Sequence, residues 1–494
     1  MKEWLVSATS SADITVAVRE SIGKPIMASP ATTKNVFSSA GWFRWLPVGL
    51  TFFFALLVGT TVGQGRWLMV AALAVIPLVF LWPVQVALGA FALLIPFDSA
   101  TFSRGNGTTG TTLNFVVGAA AASILIVTAF AGRRLQKPPR AALWWTLLIV
   151  WYSLTYLWAV DPHVSLERLP TAAACLILYL AATSLRVREI EFRGIVTAVI
   201  VGGCLAGVYS SYEFYHHVGW AGGIRSSLVM GEEAINPNVF ATRLLLPLAL
   251  SVGAFFAARS GLLRALMLCS SALLTLAVLL TLSRGAALSV LVLAVVFLLR
   301  FGVNPRILGV CSSIAVIAIT LPGEFYSRIG KAAATGGAGR LDIWYVGWEV
   351  LKHYGIFGAG IGNFSALYSK YAGYAPKFQG FARASHNLYL EISVEAGVIG
   401  MLLLLQAVRM QLWAGRNDRG RVGKANPWLV ACEAASWSIL TSAMFEHLFW
   451  AKSFWLLWIM VAFSTQLYKN SVPDAQKLQH QEAIRVRPRS PVLL

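Results

Sequence analysis

Residues 264–300 read RALMLCSSALLTLAVLLTLSRGAALSVLVLAVVFLLR, and this stretch decides the fold. Between its flanking Arg264 and Arg300 the one charged residue is Arg284. It lies between two apolar runs, 264–281 and 285–300, in the short link Thr281-Leu-Ser-Arg-Gly285. At about 1.5 Å per helical residue each run approaches the ~30 Å hydrocarbon core of a bilayer. Backbone N–H and C=O groups cannot face lipid unpaired, so runs of this kind cross as helices. The stretch therefore predicts a helical hairpin with Arg284 at its tip.

Further spans follow on both sides: 45–63, 66–82, 84–97, 113–131, 141–159, 170–185, 194–214 and 238–258 before it, and 306–322, 387–407, 428–447 and 449–467 after it. Composition agrees. Only 12% of the residues are charged, against roughly 25% in a soluble domain, and mean hydropathy is +0.67. The expected fold is an all-α integral membrane bundle of about 12–14 helices. All five cysteines fall inside apolar runs, so no disulfide framework is indicated.

The net charge of +19 raises the question of nucleic acid. Its distribution answers it. With the N-terminus placed in the cytoplasm, 26 of the 40 Lys and Arg fall on that side, including Arg133-Arg134 and the run Arg416 to Lys424. That is the positive-inside pattern, so the charge is a topology signal and both termini are cytoplasmic. The resulting partition is a cytoplasmic tail at 1–44, eleven spans over 45–322, a large outer loop at 323–385, three spans over 386–468 and a cytoplasmic tail at 469–494. The first 44 residues lack the short apolar core of a signal peptide. In the large loop, residues 332–339 (AAATGGAG) read as flexible. Leu341, Trp344, Trp348 and Leu351 then recur at helical spacing and predict an amphipathic helix on the membrane surface.

Isolated polar residues gather at the outer ends of the spans: Arg225, Asn236, Asn238, Arg243, Arg284, Arg340 and His386 with Asn387. Arginine stays charged and grips phosphate oxygens in pairs, so these are candidate anion ligands as well as candidate snorkelling residues. Arg243 lies inside an apolar run and needs a partner there. His386 is a candidate general base, and a lone histidine is as readily structural. Glu391 and Glu395 follow near its helical face and are placed to orient the ring. The glycine-rich GAGIGNF at 358–364 has no preceding strand in a βαβ unit, which rejects a dinucleotide fingerprint. No spacing of His, Cys and Asp fits a metal site.

At these residues the sequence resembles the bacterial O-antigen ligase and polymerase superfamily. His386-Asn387, nine residues, then Gly397-Val-Ile-Gly400 matches its H-N-x9-G-x-x-G signature. Arg225 before Asn236-Pro-Asn-Val-Phe-Ala241, Thr281-Leu-Ser-Arg-Gly285, and Arg340-Leu-Asp-Ile-Trp344 with Gly358–Phe364 occur in the expected order. Met401 stands where family ligases often carry Thr or Val. The resemblance implies a GT-C-like glycosyltransferase of the inner membrane that takes a glycan from undecaprenyl diphosphate and passes it to an acceptor hydroxyl at the periplasmic face. It implies inversion at the sugar carbon and no cofactor or metal. His386 would be the base, Arg225, Arg284, Arg340 and Arg243 the diphosphate ligands, and Asn387, Asn238, Glu391 and Glu395 supporting residues. The acceptor would be lipid A–core for a ligase or a second lipid-linked glycan for a polymerase, and the motifs are shared by both. A transporter of the same lipids is the other class. Its polar groups would sit near the midplane in repeated halves, and no repeat is evident here.

Overall fold

The computed structural model describes residues 81–98, 113–132, 134–217, 225–230, 233–319, 323, 326–327, 339–414 and 425–471. The expected tail at 1–44, all but 469–471 of the expected tail at 469–494, the span 45–63, nearly all of 66–82 and all but Gly339 of the stretch 332–339 lie outside them. Within them the chain is an all-α polytopic membrane protein.

Fourteen helices occur among the described residues. They are α1 (Pro83–Leu94), α2 (Leu113–Ala131), α3 (Ala141–Leu154), α4 (Pro162–Thr183), α5 (Glu189–Tyr215), α6 (Pro237–Ala257) and α7 (Gly261–Leu280) in the first part. Then follow α8 (Arg284–Phe301), α9 (Pro305–Ile319), α10 (Arg340–Tyr354), α11 (Phe364–Tyr371), α12 (Leu388–Trp413), α13 (Pro427–Ser442) and α14 (Lys452–Ser471). Seven are long and apolar enough to cross a membrane: α3 with its 3-10 extension to Trp158, then α4, α5, α6, α7, α8 and α12. The only strands among the described residues are Val229–Met230 and Glu233–Ala234, a two-residue antiparallel pair.

Helix starts follow local chemistry. Asp161 accepts from the His163 and Val164 amides with Pro162 at the first helical position, so α4 begins eight residues before the expected 170. Glu191 accepts from the Arg188 amide at 2.9 Å, which starts α5 at Glu189 rather than 194. Charged residues near the helix start, Glu167 and Arg168 in α4 and Glu189, Glu191 and Arg193 in α5, hid the start. The largest correction is at the end of α13. The apolar run suggested a span to 447, yet the helix stops at Ser442. Tight turns replace it, with the Phe445 amide donating to Ser442 O, and Ala443 O accepts from the Leu388 amide at 2.8 Å. Residues 443–451 are thus a loop that crosses the start of α12.

The large loop packs as a small layer. Ile343, Val346 and Val350 of α10 and Phe364, Leu367 and Tyr368 of α11 form one cluster with Val394 of α12. The inward face of α10 is thus offset from the stripe expected for it: Trp344 and Leu351 are partly buried, while Leu341 and Trp348 stand exposed.

Helix α12 is broken at Gly397, whose φ is +68°. The glycine turn fills the break. The Ala359 amide donates to Val394 O at 2.9 Å, Gly360 to Glu395 O at 3.0 Å, and the Val398 amide to Gly355 O at 2.8 Å. A Cβ on Gly397 would lie 2.1 Å from Ile356 O, and one on Gly358 would lie 2.3 Å from Glu395 O. Only glycine allows both the left-handed backbone and this approach. The two glycine motifs of the sequence are therefore halves of one joint.

Candidate functional site

The ends of seven helices meet at one side of the bundle: the starts of α6, α8, α10, α12 and α14 and the ends of α7 and α13. The loop 443–451 runs through this meeting point. His386 sits at the start of α12 with φ +46°, a conformation that costs energy for a residue with a Cβ. Asn387 caps the helix, accepting from the Tyr389 and Leu390 amides. Trp344 holds the strained segment by donating its indole N–H to Ser385 O at 3.0 Å.

His386 Nδ1 faces Glu446 Oε2 at 3.6 Å. Arg340 donates Nη2–H to the other oxygen, Glu446 Oε1, at 3.1 Å. Glu446 is 2% exposed and the His386 side chain 28% exposed. His447 stands beside them, its ring 5.8 Å from that of His386. Three polar atoms here are buried without a hydrogen bond: His386 Nδ1, Glu446 Oε2 and His447 Nδ1. Buried polar atoms are normally satisfied, so their concentration in one place marks a site that expects a group or a proton.

Arg340, Asp342 and Trp344 each hold a different part of this place. Arg340 grips Glu446, Asp342 accepts from Gln379 Nε2 at 2.7 Å, and Trp344 takes Ser385. The guanidinium of Arg340 also lies 6.0 Å above the Phe445 ring. Phe445 in turn presses on Gly285, where a Cβ would come within 2.8 Å of its ring. The tip of the α7–α8 hairpin, with Arg284 at the first position of α8, is thereby packed on the same loop as Glu446. Ser283 caps α8 by accepting from the Ala286 amide. Leu282 adopts φ +50° in the tight link.

Arg225 braces that link. Its Nε–H donates to Thr281 O at 2.8 Å and its Nη2–H to Asn238 Oδ1 at 2.8 Å. The Asn238 backbone amide in turn donates to Asn236 Oδ1 at 2.9 Å, which caps α6. Thr242 of α6 shares a 2.6 Å hydrogen bond with Ser442 at the end of α13.

The structure separates the remaining expected residues from this cluster. Arg243 lies 3.9 Å from Asp98, which also pairs with Lys452. It has found the partner that its depth demanded, and shares that partner with Lys452. Glu391 accepts from Ser385 Oγ and Trp450 Nε1, both at 3.2 Å, so it supports the loops on either side of His386 without facing the ring. Glu395 is buried and accepts from the Phe364 amide at 3.3 Å and Tyr152 OH at 3.5 Å, inside the glycine joint. The carboxylate that faces His386 is Glu446. Sequence reading absorbed Glu446 and His447 into the end of an apolar span. Two adjacent ionisable residues at a span end were the available signal.

His386, Glu446 and His447 also offer ligand atoms within 4.8 Å of one another, a grouping that linear spacing concealed. Its chemistry disfavours a resident cation, because the Arg340 guanidinium already holds Glu446 and would oppose a second positive charge.

A family model described as O-antigen ligase matches residues 269–405. That match covers less than a third of the chain and supports its resemblance to the O-antigen ligase/polymerase superfamily. The matched segment runs from α7 through the glycine joint of α12 and contains Arg284, Arg340 and His386. A comparison with curated proteins found no match. With the apolar helices around it, the match supports a membrane glycosyltransferase of the ligase/polymerase type.

Proposed function

We propose that the chain transfers a glycan from undecaprenyl diphosphate to an acceptor hydroxyl at the periplasmic face of the inner membrane, most narrowly as an O-antigen ligase with lipid A–core as acceptor. The observation that carries this reading is the His386–Glu446–Arg340 chain, built on a buried carboxylate, at the end of the bundle where the Arg225 and Arg284 segments converge.

His386 is the general base. With Nδ1 turned to Glu446, the other ring nitrogen is the one left to accept the acceptor's proton. Glu446 stabilises the imidazolium that forms, and Arg340 fixes the carboxylate. The acceptor oxygen bonds to the sugar carbon as the bond from that carbon to the diphosphate oxygen breaks, inverting the centre. Charge that develops on the diphosphate needs fixed cations. Arg284, at the tip of its hairpin, and Arg225, which braces that tip, are assigned that role. Arg243 is a weaker choice because Asp98 holds it.

Deletion followed by analysis of surface glycans tests the reading. Lipid A–core without glycan, together with long lipid-linked chains, is the expected result. Products of a single repeat would assign polymerase. Unchanged glycans would overturn the glycosyltransfer role.

A further inference from the structure

At the opposite end of the bundle, the link before α3 and the last turns of α4, α12 and α14 enclose a cavity of about 640 Å3. Lys137, Arg140 and Lys469 stand around it, and among the described residues no carboxylate lines it. A basic bundle end follows from topology alone, so sign is no argument for a site. Pairing is. In the same links Arg134 and Arg188 both bind Glu191, and Arg193 binds Glu189. Among the described residues, Lys137, Arg140 and Lys469 enter no ion pair.

The floor adds an independent sign. Gln466 Oε1 accepts from Gln136 Nε2 at 3.0 Å, which fixes the amide. Its own Nε2 is buried and has no acceptor. An N–H in that position needs an oxygen atom from outside the chain. The cavity wall supplies the second half of a ligand's requirements, since Met410, Trp413 and Phe463 line it with apolar surface. Three unpaired cations, one orphaned donor and an apolar wall at the end of a membrane bundle match a phosphate carrying acyl chains.

We infer that this cavity binds the headgroup phosphate of an anionic phospholipid from the leaflet at that end. The cations surround the phosphate, Gln466 Nε2 donates to one of its oxygens, and an acyl chain lies along Trp413 and Phe463. The site lies at the far end of α12 from His386 and does not depend on the chemistry assigned there.

Native mass spectrometry of the purified full-length protein tests this with phosphatidylglycerol, cardiolipin, phosphatidylcholine and inorganic phosphate as separate probes. The wild type should retain the anionic lipids and not phosphatidylcholine. The K137Q/R140Q/K469Q variant should bind them on the order of a hundredfold more weakly, from about tenfold or less per cation near a surface phosphate. The pair R259Q/R264Q, which removes cations from another basic link, should retain them. Gln466→Leu keeps every charge and should weaken binding several-fold, which provides a test if the triple variant fails to fold. Equal retention by the triple variant, or by Gln466→Leu where the triple variant is unfolded, overturns the inference. So does equal loss in R259Q/R264Q, equal retention of phosphatidylcholine, or full protection by inorganic phosphate.

Discussion

Glu446→Gln removes one charge and almost no volume, so it isolates what the carboxylate does for His386. At 3.6 Å, a full charge on Glu446 and a proton on the ring attract by about 4–5 kcal/mol at an effective dielectric of about 20 and by about 1 kcal/mol in water. Glu446 is 2% exposed, which favours the larger figure, and His386 is 28% exposed, which favours the smaller. Arg340 at 3.1 Å draws off part of the field. A net loss of roughly 2–4 kcal/mol in the transition state follows, or about 30- to 1,000-fold in rate. The assay is glycan transfer by purified protein in lipid nanodiscs, with a lipid-linked donor and its acceptor. Size exclusion and a thermal melt report whether the variant is folded. A folded Glu446→Gln protein with a rate within threefold of wild type would refute the coupling of Glu446 to the base.

Three further perturbations address other parts of the account. Gly397→Ala places a Cβ 2.1 Å from Ile356 O at a φ of +68°; the backbone penalty of about 1–2 kcal/mol and two or three lost hydrogen bonds predict destabilisation of roughly 3–5 kcal/mol in a thermal melt. Gly309→Ala, where a Cβ meets nothing within 4 Å, should leave the melt unchanged or raise it slightly. Chelation of divalent cations should leave transfer intact, because Arg340 occupies the charge of Glu446; loss of activity restored by a metal ion would assign the His386, Glu446 and His447 group to a cation instead.

Much of the architecture was legible because lipid imposes one rule on every span. Twelve of the expected spans correspond to helices within the described residues, and the errors fall at ends. Ends are decided by single side chains, such as Asp161 and Glu191, rather than by hydropathy. Individual candidate residues could be picked out where a charge or an imidazole interrupted apolar sequence, as at Arg284 and His386. Their partners were harder. Glu446 lies sixty residues from His386 and acts through a loop that apolar Met444, Phe445, Leu448 and Phe449 disguised as helix. Glu391 and Glu395 were chosen by proximity along one helix, and each is held by nearer donors. Helical spacing describes one element, whereas the site is built where seven ends meet.

The central claim is that His386 is the base of a glycosyl transfer. The direct measurement is turnover of a lipid-linked glycan by purified His386→Ala protein, reconstituted at the same level as wild type and shown to melt at a similar temperature. The account predicts no product above background. Product formed at the wild-type rate would contradict it and leave the buried polar cluster as structure alone.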